Sequence, residues 1–343
     1  MQRICATLQE EFDVLLLGRI WPVSKPLQNK SYEQFRLKCF FNKGKFFYLE
    51  FQIRLFFYLI FKRFDIIGSV DTDTILPCTL VKIIRNKKMV FDAHEYFTEV
   101  PELSNRLLTK TIWEWIENAC IPLADKAYTV GPALADLFSK QHGISFSCIR
   151  NLPNYTHTGA LKSFNNPIRV VYQGALNDGR CLPELIHAVK DLPIELVIAG
   201  EGDLSAELRE LVRLNKQENQ VRFLGFVQPE ELTKLTLTCD IGFNVLEPKG
   251  LSYQYSLANK FFDYIQAGIP QICSDFIEYK LLNTIFEVAV LSDFNQVSIR
   301  RSLQLLIESD HLRTQLAENC IQASKQLNWN LEKEKLIPIY RVL

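Results

Sequence analysis

Several side chains in this sequence stand where they could act on an anionic, hydroxyl-bearing ligand. In Ser256–Pro270, SLANKFFDYIQAGIP, apolar or aromatic residues at Leu257, Phe261, Tyr264, Ile265 and Ala267 make a helical pattern. The pattern stops at Gly268, and Ile269 to Ile272 reads as a short strand. Asn259, Lys260 and Asp263 fall in or near the first turns, where backbone amides and the helix dipole favour an anion. An ammonium at Lys260 can hold phosphate charge, and a carboxylate at Asp263 can accept bonds from hydroxyls, so a nucleotide bearing a sugar suits the stretch. An amphipathic helix with solvated polar residues fits the same letters. Arg180 follows the turn Gly174-Ala-Leu-Asn-Asp-Gly179, where amides and a guanidinium could meet a diphosphate, or where an arginine is merely solvated. GEGD at Gly200–Asp203 lacks the spacing of a dinucleotide fingerprint and by default is a tight turn.

The first half offers Asp71 and Asp73, then Asp92, His94 and Glu95 in FDAHE. Two carboxylates one residue apart can hold a divalent cation, but they are also ordinary turn formers and helix caps. His94 reads either as a structural histidine or, because it follows a strand, as a functional one.

These residues matter because of where the elements place them. Ligands of open α/β sheets bind beyond the carboxyl ends of strands, and each residue above follows a predicted strand or opens a predicted helix. Strands are expected at Asp13–Gly18, Phe35–Phe41, Asp65–Val70, Met89–Phe91, Lys126–Val130 and Ser147–Ile149, with helices between them. After residues 152–167, rich in Pro, Asn and Gly159, strands are expected at Ile168–Tyr172, Glu195–Ala199, Val221–Leu224, Asp240–Val245 and Val288–Leu291. Alternating strands and helices imply parallel sheets with helices on both faces. A helix (Ile4, Cys5, Leu8, Phe12) precedes the first strand, so the opening strand of a doubly wound first domain is expected to be missing.

Composition narrows the function. At 343 residues, two domains are expected. With 39 basic against 39 acidic residues, bulk charge does not suggest nucleic acid as a partner. The nine cysteines are an odd, scattered set without a CxxC pair, which points away from zinc and disulfides and towards a reducing cytoplasm. No signal peptide is expected, because Gln2, Arg3, Glu10, Glu11 and Asp13 interrupt any apolar run. Phe46–Phe64 (FFYLEFQIRLFFYLIFKRF) carries Glu50, Gln52 and Arg54, which disfavours a membrane span. It reads either as a helix buried against a sheet or, flanked by Lys43, Lys45, Lys62 and Arg63, as one resting peripherally on an anionic membrane.

Taken together, VVYQGAL, ELVIAGEGD, VRFLGFVQPEEL and NKFFDYIQAGIP, preceded by FDAHE and IRNLPN, resemble in order the motifs of retaining glycosyltransferases of the GT-B fold, family 4 type. The resemblance covers nearly the whole chain except the missing first strand. It implies an α/β chain of two Rossmann-like domains facing a cleft. An N-terminal acceptor-side domain (1–153) and a linker (154–167) would precede a C-terminal nucleotide-sugar domain (168–326). A final helix (327–343) would cross back to the first. It implies transfer from a nucleotide diphosphate sugar to a glycan or lipid-linked acceptor in cell-envelope polysaccharide synthesis, without cofactor or metal. By the resemblance, His94, Arg180 and Lys260 are the catalytic set. Gly174, Gly200, Phe226, Val227, Tyr255, Ser256, Asn259 and Asp263 bind the donor, and Asp71, Asp73 and Glu95 face the acceptor. His94 corresponds to a histidine that projects toward the donor sugar, and Phe226-Val227 to a base-binding turn. Tyr255 and Asp263 stand where the family usually has two glutamates, and Cys181 where a glycine is common. A nucleotide-sugar 2-epimerase and a non-catalytic binding protein share the architecture and are the alternatives.

Overall fold

The computed structural model describes residues 1–22, 24–103, 106–155 and 163–343; Gly159 and its neighbours in the expected linker lie outside them. The chain forms two units, residues Met1–Arg150 with Leu331–Leu343, and Asn151–Asn330.

The first unit contains α1 (Gln2–Leu8), β1 (Leu15–Arg19), β2 (Glu33–Leu37), α2 (Gly44–Phe61), β3 (Ile66–Val70), α3 (Thr72–Arg85) and β4 (Lys88–Ala93). It continues with α4 (Leu107–Cys120), β5 (Lys126–Thr129), α5 (Pro132–His142) and β6 (Phe146–Cys148). All strands are parallel, but they form two sheets: β1 pairs only β2, and the second runs β3-β4-β5-β6. Among the described residues no strand pairs with the other edge of β1 or of β3. The strand expected to reach Phe41 stops at Leu37, because the Glu50 carboxylate of α2 accepts from the amides of Phe40 and Phe41, both at 2.9 Å, and draws the chain into a loop.

The second unit is a single doubly wound sheet. Its elements are β7 (Ile168–Gln173), α6 (Leu182–Val189), β8 (Ile194–Ala199), α7 (Ser205–Leu214), β9 (Val221–Gly225), α8 (Pro229–Leu237) and β10 (Ile241–Asn244). There follow α9 (Leu251–Gln254), α10 (Asn259–Gln266), β11 (Gln271–Ser274), α11 (Ile277–Phe286), β12 (Ala289–Ser292), α12 (Gln296–Glu308) and α13 (Asp310–Ser324). The parallel order β12-β11-β10-β7-β8-β9 reverses direction between β7 and β10, the place where such sheets open a crevice. The strands read as continuous apolar runs because both faces are covered, with Val170, Leu196, Ile198 and Phe243 fully buried. The last helix, α14 (Trp329–Arg341), carries Leu336 and Tyr340 into the first unit's core.

The expected helix over Ser256–Pro270 is shorter than its pattern. It begins at Asn259, the strand after it begins at Gln271, and a separate turn of helix, α9, precedes it. Gly268 has φ +66°, the left-handed conformation that stops a helix.

One buried carboxyl ties the first unit's helices. Glu117 of α4 is 3% exposed and accepts from Thr72 Oγ1 of α3 at 2.6 Å and from Thr98 Oγ1 at 3.0 Å. Burial pushes its pKa up to about 7, against the pull of the two hydroxyls. A raised carboxyl pKa means that the folded state keeps a proton the unfolded chain has released, so stability falls as pH climbs from the unfolded pKa through about 7. Chemical denaturation across pH 4.5–8 should therefore show Glu117→Gln flattening the stability profile by about 3 kcal/mol relative to wild type. Parallel profiles would show that Glu117 is ionised in the fold.

Candidate nucleotide-sugar site

The site in the second unit is built where β7, β8, β9 and β10 end. Gly174 follows β7 and Gly200 follows β8, and a Cβ on Gly200 would lie 1.8 Å from the carbonyl oxygen of Gly174. No side chain fits there, so the loops join backbone to backbone. Gly174 N donates to Ala199 O, Leu176 N to Glu201 O, and Leu204 N to Leu176 O. The GEGD turn is thus the floor for the Gly174–Arg180 loop. Gly200 N donates to Gly225 O at 2.8 Å, which ties in the end of β9. Beyond it Phe226 is 72% exposed and Val227 is half-buried.

α10 is pressed onto the sheet by Phe261, Phe262, Tyr264 and Ile265, all essentially buried, each contributing about 1.5–3 kcal/mol of burial. The approach is close because β10 has Gly242 beneath Tyr264, where a Cβ would be 2.3 Å from the ring. With those four residues fixed, Lys260 in the first turn has one place to go. It is 8% exposed, its Nζ lies 4.2 Å from the Tyr172 ring centroid, and a Cβ on Gly174 would be 3.9 Å from it. Lys260 has no ion-pair or hydrogen-bond partner among the described residues. Burial, and then the neighbouring Arg180 guanidinium, push its pKa well below the usual lysine range. Arg180 sits 5.0 Å from the Tyr253 ring centroid, and its Nε is buried without a hydrogen-bond partner. Two cations thus share one place without a carboxylate, at the amino end of a helix whose dipole adds positive potential. Chemically, such an arrangement can accept a doubly charged anion.

The other expected donor residues are placed as follows. Asp263, half-buried one turn after Lys260, accepts from Gln173 Nε2 at 2.9 Å, and Gln173 in turn accepts from Thr236. Asn259 is exposed at the helix start and accepts from Asn151 at 3.0 Å. Tyr255 ends α9, and Ser256 is half-buried in the link to α10. Cys181 has φ +50°, the left-handed conformation in which glycine costs least. Its side chain points into the core at 1% exposure, away from the loop it follows.

Sequence reasoning passed over Tyr172, Tyr253, Gln173 and Lys249. Lys249 pairs with Asp178 at 2.6 Å and Glu247 at 3.2 Å, and Glu247 N donates to Gly179 O, which locks the loop from below. The aromatic residues gave no signal because a Tyr in a strand or short helix reads as packing. Cys181, Glu184 and Glu247 bring three ligand-type atoms within 4.8 Å of one another, the one such group among the described residues. Burial holds that thiol strongly towards its protonated form, and Lys249 already pairs with Glu247.

In the first unit, Asp71, His94 and Asp92 come together, while Asp73 and Glu95 belong to the same strand-end region. Asp71 has φ +53°, and its Oδ1 accepts from His94 N at 2.7 Å. Burial raises Asp71 to about 7 and Asp73 to about 6, and no third ligand atom joins the pair as a metal site among the described residues. His94 Nε2 lies 3.1 Å from Asp92 Oδ2 and 3.3 Å from Met1 Sδ. The same Asp92 oxygen accepts from Tyr128 Oη at 3.0 Å, and Tyr340 Oη of α14 is 3.3 Å further on. Glu95 is exposed.

Burial opposes the imidazolium of His94, but the Asp92 hydrogen bond and charge, with Asp71, outweigh it and raise its pKa above the ordinary value. The N-terminal amine acts in the opposite sense. Imidazole NMR titration should find that Asp92→Asn lowers the His94 pKa to below that of an ordinary histidine, since burial then meets less opposition. An unchanged titration would mean that Asp92 does not govern this side chain.

Comparisons with known proteins agree with this architecture. The family described as glycosyl transferases group 1 matches residues 156–326. Sucrose-phosphate synthase from Thermosynechococcus elongatus superposes with a TM-score of 0.82 at 15% identity, covering 99% of this chain and 91% of that one. A glycosyltransferase from Rickettsia africae gives 0.75 at 13% identity, covering 99% and 93%. Anabaena HepE, solved in complex with UDP-glucose, gives 0.71 at 14%, covering 91% and 87%. No curated protein matches the chain by sequence. At these identities the solved structures establish the fold, which is GT-B. With the motif-bearing second unit matched along its length, residues 156–326 of the chain belong to the glycosyl transferases group 1 family.

Proposed function

We propose that the protein is a retaining, metal-independent hexosyltransferase. It moves a sugar from a nucleotide diphosphate sugar to a glycan or lipid-linked acceptor in cell-envelope polysaccharide assembly. The observation that carries the reading is the pair of buried Lys260 and half-buried Arg180, with no carboxylate partner among the described residues, beside the glycine-lined Gly174–Arg180 loop. A diphosphate leaving group gains negative charge as the glycosidic bond breaks, and fixed cations in a site of low polarity stabilise that charge more than they stabilise the intact donor. The sugar passes through an oxocarbenium-like state. The acceptor hydroxyl attacks from the face the diphosphate leaves, and its proton goes to the departing phosphate oxygen. In this reading no carboxylate pair is needed.

The exposed ring of Phe226 is suited to stack on a base and Asp263 to accept from the ribose hydroxyls, while Gly174 and Gly200, which carry no side chain, leave room for the phosphates beside the loop. Tyr255, Ser256, Asn259 and Val227 are the proposed remaining donor contacts. His94 is proposed in its family role, and Asp71, Asp73 and Glu95 as acceptor contacts. A reducing compartment suits the nine unbridged cysteines. UDP-glucose is the first donor to test, since HepE was solved with it.

Lys260→Ala and Arg180→Ala should each lower turnover by about 10² or more with the circular dichroism spectrum unchanged. Wild-type turnover in either would remove the assignment. Incubation with donor alone should give at most slow hydrolysis, whereas interconversion of donors would favour an epimerase. Because burial and Arg180 lower the Lys260 pKa in the free protein and a bound anion raises it, UDP binding should favour proton uptake. Calorimetry in buffers of different ionisation enthalpy should show this uptake in wild type and lose it in Lys260→Met.

A further inference from the structure

α2 of the first unit is apolar on both sides. Phe47, Phe51 and Leu55 are buried against the body of the unit. On the opposite side Phe46, Leu49, Ile53 and Phe57, each about half exposed, and Phe61 at 83% make a stripe of 3- and 4-residue spacing with no charged member. Over 18 residues the helix is about 27 Å long. A helix that is apolar all round is normally buried all round, and this one is not.

The loop before it extends the stripe. Phe40 is 78% exposed and Phe41 half exposed, held outward because Glu50 accepts from both their amides while pairing with Arg54 at 2.7 Å. The helix's single acid is therefore consumed in shaping the loop. Lys43 and Lys45 at one end and Arg63 at the other form no ion pair among the described residues, and Lys45 lies over the Phe46 ring. The nearby acids are neutralised, Glu33 by Lys62 at 3.8 Å and Asp65 by Lys87 at 3.2 Å. The neighbouring α4 adds exposed Leu107, Leu108, Ile112 and Trp115, and the two helices meet where Tyr48 packs edge-on against Trp113, ring centroids 5.4 Å apart.

We propose that this face is a docking surface for an anionic lipid bilayer. The Phe40–Phe41 loop and the outer stripe of α2 enter the interface, and Lys43, Lys45 and Arg63 meet headgroup phosphates. Charge selects the occupant: an uncharged stripe bracketed by unpaired cations matches acyl chains beneath a layer of phosphates. The stripe presents no hydrogen-bonding groups for a protein partner to satisfy. No helix of the described residues is long and apolar enough to cross a membrane, so the contact is with the surface.

The test is co-sedimentation of the full chain with vesicles of phosphatidylcholine alone or mixed with phosphatidylglycerol at about 7:3. Binding should require phosphatidylglycerol and weaken in 0.5 M salt. Lys43→Gln/Lys45→Gln should reduce partitioning about tenfold. Phe57→Ser/Phe61→Ser should reduce it by at least about tenfold, with the thermal melt little changed because Phe57 is 56% and Phe61 83% exposed. Equal binding to neutral vesicles, binding unchanged in the Phe variant, or no binding overturns the proposal. So does a lipid-free dimer that the Phe variant dissociates, since a second copy would then cover the face.

Discussion

The second unit depends on one contact, the carbonyl of Gly174 against the α-carbon of Gly200, a separation that leaves no room for a side chain. Because the two strand ends meet through backbone, the loop after β7 rests on amides and carbonyls of the loop after β8, and side-chain bonds from Tyr172, Asn177 and Lys249 brace it further. That leaves a rigid, sterically bare cradle. Substituting Gly200 would separate the loops and with them the relation of Arg180 to Lys260.

Rigidity matters because burial and the Arg180 guanidinium both disfavour charge on Lys260. Lys260 is held beside Tyr172 and near Arg180 by the aromatic anchorage of α10. A flexible scaffold would relieve the repulsion by letting one side chain swing into water. Here the burial of Phe261, Phe262, Tyr264 and Ile265 offsets that cost and keeps both side chains in place. The first unit treats charge in the opposite way: His94 is supplied with its counter-charge by Asp92, itself steadied by Tyr128.

Most of this was legible in the residues, for unequal reasons. The strands of the second unit were readable because each is a short, fully buried apolar run, and Lys260 and Arg180 because a cation beside a glycine turn or in a first helical turn is a local signal. Asp92 as the partner of His94 was within reach, being two residues away on the same strand. Tyr340 was not, because its relation to Tyr128 spans most of the chain. The helix at Ser256 was read as too long because Leu257 continues the apolar spacing, although Ala258 is extended and its amide goes to Tyr279. Phe40 and Phe41 were read as strand because aromatic residues favour strands, and only the tertiary contact with Glu50 turns them out. The division of the first unit's strands into two sheets has no local signature, since pairing is a property of the fold.

The division of the chain also has a consequence for biogenesis. The second unit is one uninterrupted stretch, Asn151–Asn330, whereas the first needs Leu331–Leu343 to be complete. During synthesis residues 1–150 cannot finish folding until residues 331–343 leave the ribosome, while the unit between them can fold as soon as it emerges. Until then Tyr128 lacks the Tyr340 hydroxyl of α14 that stands 3.3 Å from its own, and the first unit's core stays open on that side.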